Sequence, residues 1–153
     1  MRIDCWNLEI SVTNDRNAHL FVDIRVHVRF KLFALWTSVM FLYIYGDYFK
    51  LHQPGILEEM IAGRMALGAV SQGVLLAMAA VMAIPSLMPF LSLVLPAKAN
   101  RWLNIILGAA YSVIMMLAMS GGWHFYVLYA LIEIILTAMI VWYAWTWPKS
   151  ASR

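Results

Sequence analysis

From Met65 to Ala97 the chain carries no ionisable side chain, and from Trp102 to Pro148 its one charged residue is Glu133. Few folds tolerate that. A helix needs about 20 mainly apolar residues to cross ~30 Å of hydrocarbon, and both stretches are long enough to supply at least one crossing. Composition agrees: 63% of the 153 residues are apolar and 12% charged, against about 45–50% and 25% in an ordinary soluble domain. A soluble globule of this size must show much of its surface to water, and a disordered chain needs low hydropathy and high charge. Both are excluded. The partner these numbers imply is a lipid bilayer.

Hydropathy predicts an all-α fold, a four-transmembrane-helix bundle, with spans at about 30–49, 65–88, 102–120 and 125–147. The strands of a membrane barrel would show about ten residues of alternating polarity, and the last three spans show none. The division expected is a tail over residues 1–22, a membrane domain over 23–148 and a short tail over 149–153. Nine Lys and Arg residues fall on the side of the two termini: Arg2, Arg16, Arg25, Arg29, Lys31, Lys98, Arg101, Lys149 and Arg153. Only Lys50 and Arg64 fall on the other. By the positive-inside rule, both termini are expected in the cytoplasm, with the protein multi-pass in a bacterial plasma (inner) membrane. Aromatic residues cluster at both proposed interfaces, Trp36, Trp102, Trp142, Tyr143, Trp145 and Trp147 at the inner one. Tyr45, Tyr48, Phe49, Trp123, Phe125 and Tyr126 form the outer belt.

Residues 1–20 lack a continuous apolar run, so the first span reads as an uncleaved anchor. Phe21 to Lys31 alternates apolar and polar residues in a strand-like way. Beside a membrane helix the preferred reading is a lead-in whose Arg25 and Arg29 face anionic headgroups. In the first loop, Pro54 suits a helix start and Glu58 and Glu59 suit its first turns. The second helix is therefore expected to begin near Gly55. A straight helix over Met65 to Leu95 would measure about 46 Å, too long for the bilayer, so Pro85 and Pro89 are expected to kink or end it.

Ala66, Ala69, Gly73, Ala77 and Ala80 form a small-residue stripe, and Gly108 and Ser112 a shorter one. Such stripes let membrane helices approach closely. They predict packing within the chain, or against a second copy or a partner subunit.

Glu133 is the most informative residue. It lies about 13 Å from the nearer end of its helix, where a charge costs about 2.5–3.5 kcal/mol even on insertion scales. It should face the bundle interior, in its neutral form, with polar neighbours. Gln72, Tyr111, Ser112 and Tyr43 are expected in the same layer, with Tyr126, Tyr129 and Thr137 on the Glu133 face of the fourth helix. This cluster is the candidate site for a proton or a small amphipathic or cationic ligand. The plainer reading is a neutral glutamate locking the bundle. A candidate outer-face set comprises Asp47, His52 and His124, with Glu58 and Glu59 nearby, but no pair has metal-ligand spacing, so no metal is assigned.

The single cysteine, Cys5, excludes internal disulfides and paired-cysteine quinone chemistry. Phosphate loops and the zinc-protease and serine-hydrolase motifs are absent. No cofactor and no nucleic-acid partner are expected, and an enzyme is the less favoured class. The leading functional expectation is binding or proton-linked transport of a small amphipathic or cationic solute around Glu133. The alternatives are an accessory membrane subunit and a lipid- or quinone-modifying enzyme. Small multidrug exporters also use four helices and one membrane glutamate, but theirs lies in the first helix.

Four stretches resemble a known family: YIYGDYFKLHQPGILEEM, IPSLMPFLSLVL, NRWLNIILGAAYSVI and YALIEIILTAMIVWYAWTW. They are similar to a bacterial family of small four-helix membrane proteins described as a domain of unknown function. The resemblance covers about Asp23 to Pro148. In layout the chain is also remotely similar to the DoxX-like group. The resemblance implies the four-helix fold and places Asp47, Asn100, Arg101, Asn104 and Glu133 in recognisable segments. It implies no activity.

Overall fold

The structure of the protein, a computed structural model, describes residues 26–65, 68–119 and 123–147. The polar tail, Arg25 and the segment after Trp147 lie outside the described residues. Four long helices carry the fold: α1 (Val28–Lys50), α3 (Gln72–Val94), α4 (Ala97–Ala118) and α5 (His124–Trp145). Each is long and apolar enough to cross a membrane. A short helix α2 (Ile56–Ile61) and a two-stranded antiparallel hairpin, β1 (Arg64–Met65) and β2 (Gly68–Ala69), join α1 to α3.

The first loop differs from expectation. A helix does start after Gly55, but it stops at Ile61 instead of running into the membrane. Gly63 and Gly68 adopt φ of 71° and 108°, left-handed conformations that no helix interior contains. The hairpin they frame delays α3 until Gln72, where the Ser71 side chain caps the helix by accepting from the Val74 N–H. The second membrane helix thus begins about two turns further along the chain than hydropathy placed it. It also continues through Pro85 and Pro89 to Val94.

The helices bury one narrow stripe each. On α1 it is Val28, Leu32, Trp36, Val39, Tyr43 and Gly46, and on α4 Asn100, Asn104, Gly108, Tyr111 and Met115. On α5 it is Ala130, Glu133, Thr137, Ile140 and Ala144. Steps of three and four mark a seam of the left-handed bundle kind. α5 packs against both α4 and α1, and α1 against α3, while α3 touches α4 only sparingly. The lipid-facing sides carry the large apolar residues, such as Leu76, Phe90, Leu117 and Ile135. Polar residues fill much of the seam. Hydrocarbon provides no drive to bury apolar groups, so packing and hydrogen bonds hold the helices together.

The two small-residue stripes behave differently. A Cβ on Gly108 would meet Val141 Cγ2 at 2.9 Å and the Thr137 carbonyl oxygen at 3.3 Å, so this glycine sets the close approach of α4 and α5. Gly73, Ala77 and Ala80 are exposed among the described residues. The expectation of intrachain packing fails for them, because they lie away from the buried positions of α3, Pro85, Met88 and Ser92. Ala69 belongs to the hairpin, and Ala66 lies outside the described residues.

Basic residues at the Pro96 end answer helix C-termini, where carbonyls lack intrahelical donors. Arg29 donates to the Leu93 carbonyl at 2.6 Å, and Arg101 to that of Trp145 at 3.4 Å. Arg29 thus serves α3 as well as the interface to which its charge assigned it.

Candidate functional site

Glu133 sits at the middle of the seam and is 2% exposed. It lies nine residues into α5, where the 3–4 spacing that buries Ala130 and Thr137 turns it inward. Its Oε2 is buried and has no hydrogen-bond partner. Tyr43, one helix away, is 9% exposed, and its hydroxyl is also buried without a partner. Glu133 interacts electrostatically with Tyr43, Tyr126 and Asp47. One turn along, Thr137 Oγ1 lies 2.7 Å from Ser112 Oγ and donates to the Glu133 carbonyl at 2.8 Å. The tie between these hydroxyls joins α4 to α5 beside the carboxyl.

Tyr111 completes the layer. Its ring lies 6.4 Å from that of Tyr43 and 6.1 Å from that of Trp36, the latter edge-on. Its hydroxyl donates to the Val81 carbonyl at 2.5 Å. That carbonyl is open because its helical donor would be the N–H of residue 85, which is proline. The structure therefore gathers Tyr43, Tyr111, Ser112 and Thr137 around Glu133. It does not bring Gln72 there. Gln72 is the first residue of α3 and is exposed, because the helix begins where hydropathy had placed its first buried turns. Tyr129 turns toward the loops, its ring stacked 6.3 Å from Phe49.

A second polar network lies between this layer and the Pro96 end. Asn100 and Asn104 are fully buried. Asn100 Nδ2 donates to the Ser92 carbonyl at 2.5 Å, and Asn104 Nδ2 to Asn100 Oδ1 at 2.6 Å. Trp36 Nε1 donates to Asn104 Oδ1 at 2.7 Å. Ser92, like Val81, precedes a proline by four residues (Pro96), so its carbonyl also lacks a helical donor. Trp36 was expected in an interfacial belt and is instead wholly buried, because the indole N–H finds its acceptor inside the bundle. Trp102, Trp142 and Trp145 do face outward. Two asparagines four residues apart in an apolar helix signal this network in the sequence, and they carry it without any charge.

Two cavities open at the loop end. One, of about 430 Å³, is lined by Phe49, His52, Gln53, Trp123, Phe125 and Tyr129 among others. The other, of about 520 Å³, lies under α2 and the hairpin, with Asp47 in its wall. The outer-face set is therefore divided. Asp47 and His52 line different cavities, and the exposed His124, the first residue of α5, lines neither. Among the described residues no three His, Cys, Asp or Glu side chains converge as a metal ion would need.

Four apolar helices around a polar seam define a multi-pass helical membrane protein. Within that class the chain belongs to a family of unknown function (DUF6326), whose model matches residues 22–152. No curated protein and no solved structure matches it.

Proposed function

We propose that the protein binds, and moves in exchange with protons, a small amphipathic or cationic solute at the layer centred on Glu133. The observation that carries this reading is the pair of partnerless buried polar groups, Glu133 Oε2 and the Tyr43 hydroxyl. An unsatisfied buried polar atom costs about 1–3 kcal/mol, and a carboxyl in hydrocarbon must hold a proton or a cation. A site whose buried polar atoms meet no partner among the described residues is suited to one that arrives from outside. Tyr111, Ser112 and Thr137 would then set its walls. In this reading both termini face the cytoplasm of a bacterial cell, as the basic residues suggest, and Pro85 and Pro89 bend α3 beside the site.

The test uses tetraphenylphosphonium as a lipophilic cation. The purified protein should bind it with release of a proton, read as a buffer-dependent heat in calorimetry. Glu133→Gln should keep the helical content and melting behaviour while weakening binding at least tenfold and abolishing proton release. Unchanged binding and proton release in a folded Glu133→Gln protein would sink the proposal.

A second reading has its own observation. The Gly73, Ala77 and Ala80 face of α3 is exposed, which suits an accessory subunit. A partner recovered at fixed stoichiometry from membranes, and lost on Ala77→Leu, would favour it.

A further inference from the structure

The larger loop-end cavity has a composition that the Glu133 layer does not explain. Its polar wall carries two acids, Asp47 and Glu59, and two bases, Lys50 and Arg64. Among the described residues these four side chains form no hydrogen bond or ion pair with one another, and Lys50 Nζ lies 5.9 Å from the Tyr126 ring centre. Its apolar lining is pliable, with Met60 and Met65 on the roof and Met78 on α3. Met78 lies six residues into α3, about 9 Å below the start of that helix. The charged groups therefore stand near the ends of the membrane helices, and Met78 lies deeper along α3.

We infer that this cavity, of about 520 Å³, is a binding site for one phospholipid with a zwitterionic head, an ammonium beside a phosphate. Charge balance selects that head. The carboxylates of Asp47, partly offset by Lys50, and of Glu59 disfavour a purely anionic head, and Lys50 and Arg64 a purely cationic one, whereas a zwitterion meets both signs. Arg64 supplies the planar fork suited to phosphate. The chains of the lipid lie along thioether side chains that adjust to different shapes, in a cavity of ordinary ligand size. α2 and the hairpin form the roof, a role for the twenty-one residues between α1 and α3 that a short turn would not fill. Glu133 is not among the lining residues, so the site stands apart from the function proposed above.

Methionine methyl NMR on the full-length protein in detergent tests this directly. Dihexanoyl phosphatidylethanolamine should shift the Met60, Met65 and Met78 methyl signals saturably and leave Met88 and Met115, which lie in the seam, unmoved. Dihexanoyl phosphatidylglycerol should bind at least tenfold more weakly. Glu59→Gln combined with Arg64→Gln should weaken phosphatidylethanolamine at least tenfold while the Met88 and Met115 signals stay in place. If the two lipids bind alike, if the double variant binds as the parent does, or if the three methyls do not respond, the site is not what we propose. Should the double variant disturb the Met88 signal, Lys50→Gln with the same pair of lipids decides instead. Its loss of discrimination supports the site, and unchanged discrimination overturns it.

Discussion

Trp36 and Asn104 meet where two helices lie diagonally across the bundle, and each satisfies a group the other would leave exposed. The indole N–H donates to Asn104 Oδ1, while the amide of the same asparagine donates back to Asn100. Removing one member strands its partner in a medium that provides no water. A double-mutant cycle of Trp36→Phe and Asn104→Leu is expected to show a coupling of about 0.5–2 kcal/mol, the range found for such bonds between membrane helices. Reversible unfolding in mixed micelles would measure it, and additive losses would contradict the bond. Glu133 differs from this network in kind. The asparagines are answered within the chain, whereas its carboxyl oxygen is not. That contrast supports reading the first as scaffold and the second as site. The sequence already separated them in part, since a lone acid in an uncharged span is conspicuous and neutral asparagines are not.

The helices themselves were legible because hydrocarbon demands long uncharged runs, and all four appear. Their exact placement was not. Between Gly55 and Gln72 hydropathy stays moderate while two glycines at positive φ redirect the backbone, and a local conformation of that kind leaves no trace in a hydropathy average. The error propagated to Gln72, assigned to the middle layer from a helix start taken seven residues too early. Small residues misled in the same way, since a stripe on a helix does not say what lies opposite. Gly108 and Gly73 make the difference measurable. Gly108→Ala should destabilise the protein by about 1–3 kcal/mol, because its methyl enters Val141 and the Thr137 backbone. Gly73→Ala should be neutral or stabilising by up to about 1 kcal/mol, since the nearest atom to its Cβ is Ser71 Oγ at 4.0 Å. Thermal unfolding of both variants in one detergent checks the pair, and equal effects would show the seam misassigned.

At the scale of the whole molecule, the proposed orientation, with both termini on the cytoplasmic side, can be tested chemically. Cys5 is the only thiol and should react with a membrane-impermeant maleimide in inverted vesicles but not in intact cells. A cysteine at Glu58, in a Cys5→Ser background, should do the opposite. Labelling of both from the same side would refute the arrangement. The inward stripes were hard to foresee, because a membrane bundle places its polar groups where a soluble one places leucine, and only the 3–4 spacing betrays them. The carbonyls of Val81 and Ser92 are both opened by a proline within α3 or just beyond its end, and both are closed by side chains of α4, Tyr111 and Asn100. Until α4 arrives, α3 would have to enter hydrocarbon with unpaired backbone dipoles. The two helices, joined by only Leu95 and Pro96, are therefore best handed from the insertion machinery to the lipid together, as a preassembled hairpin.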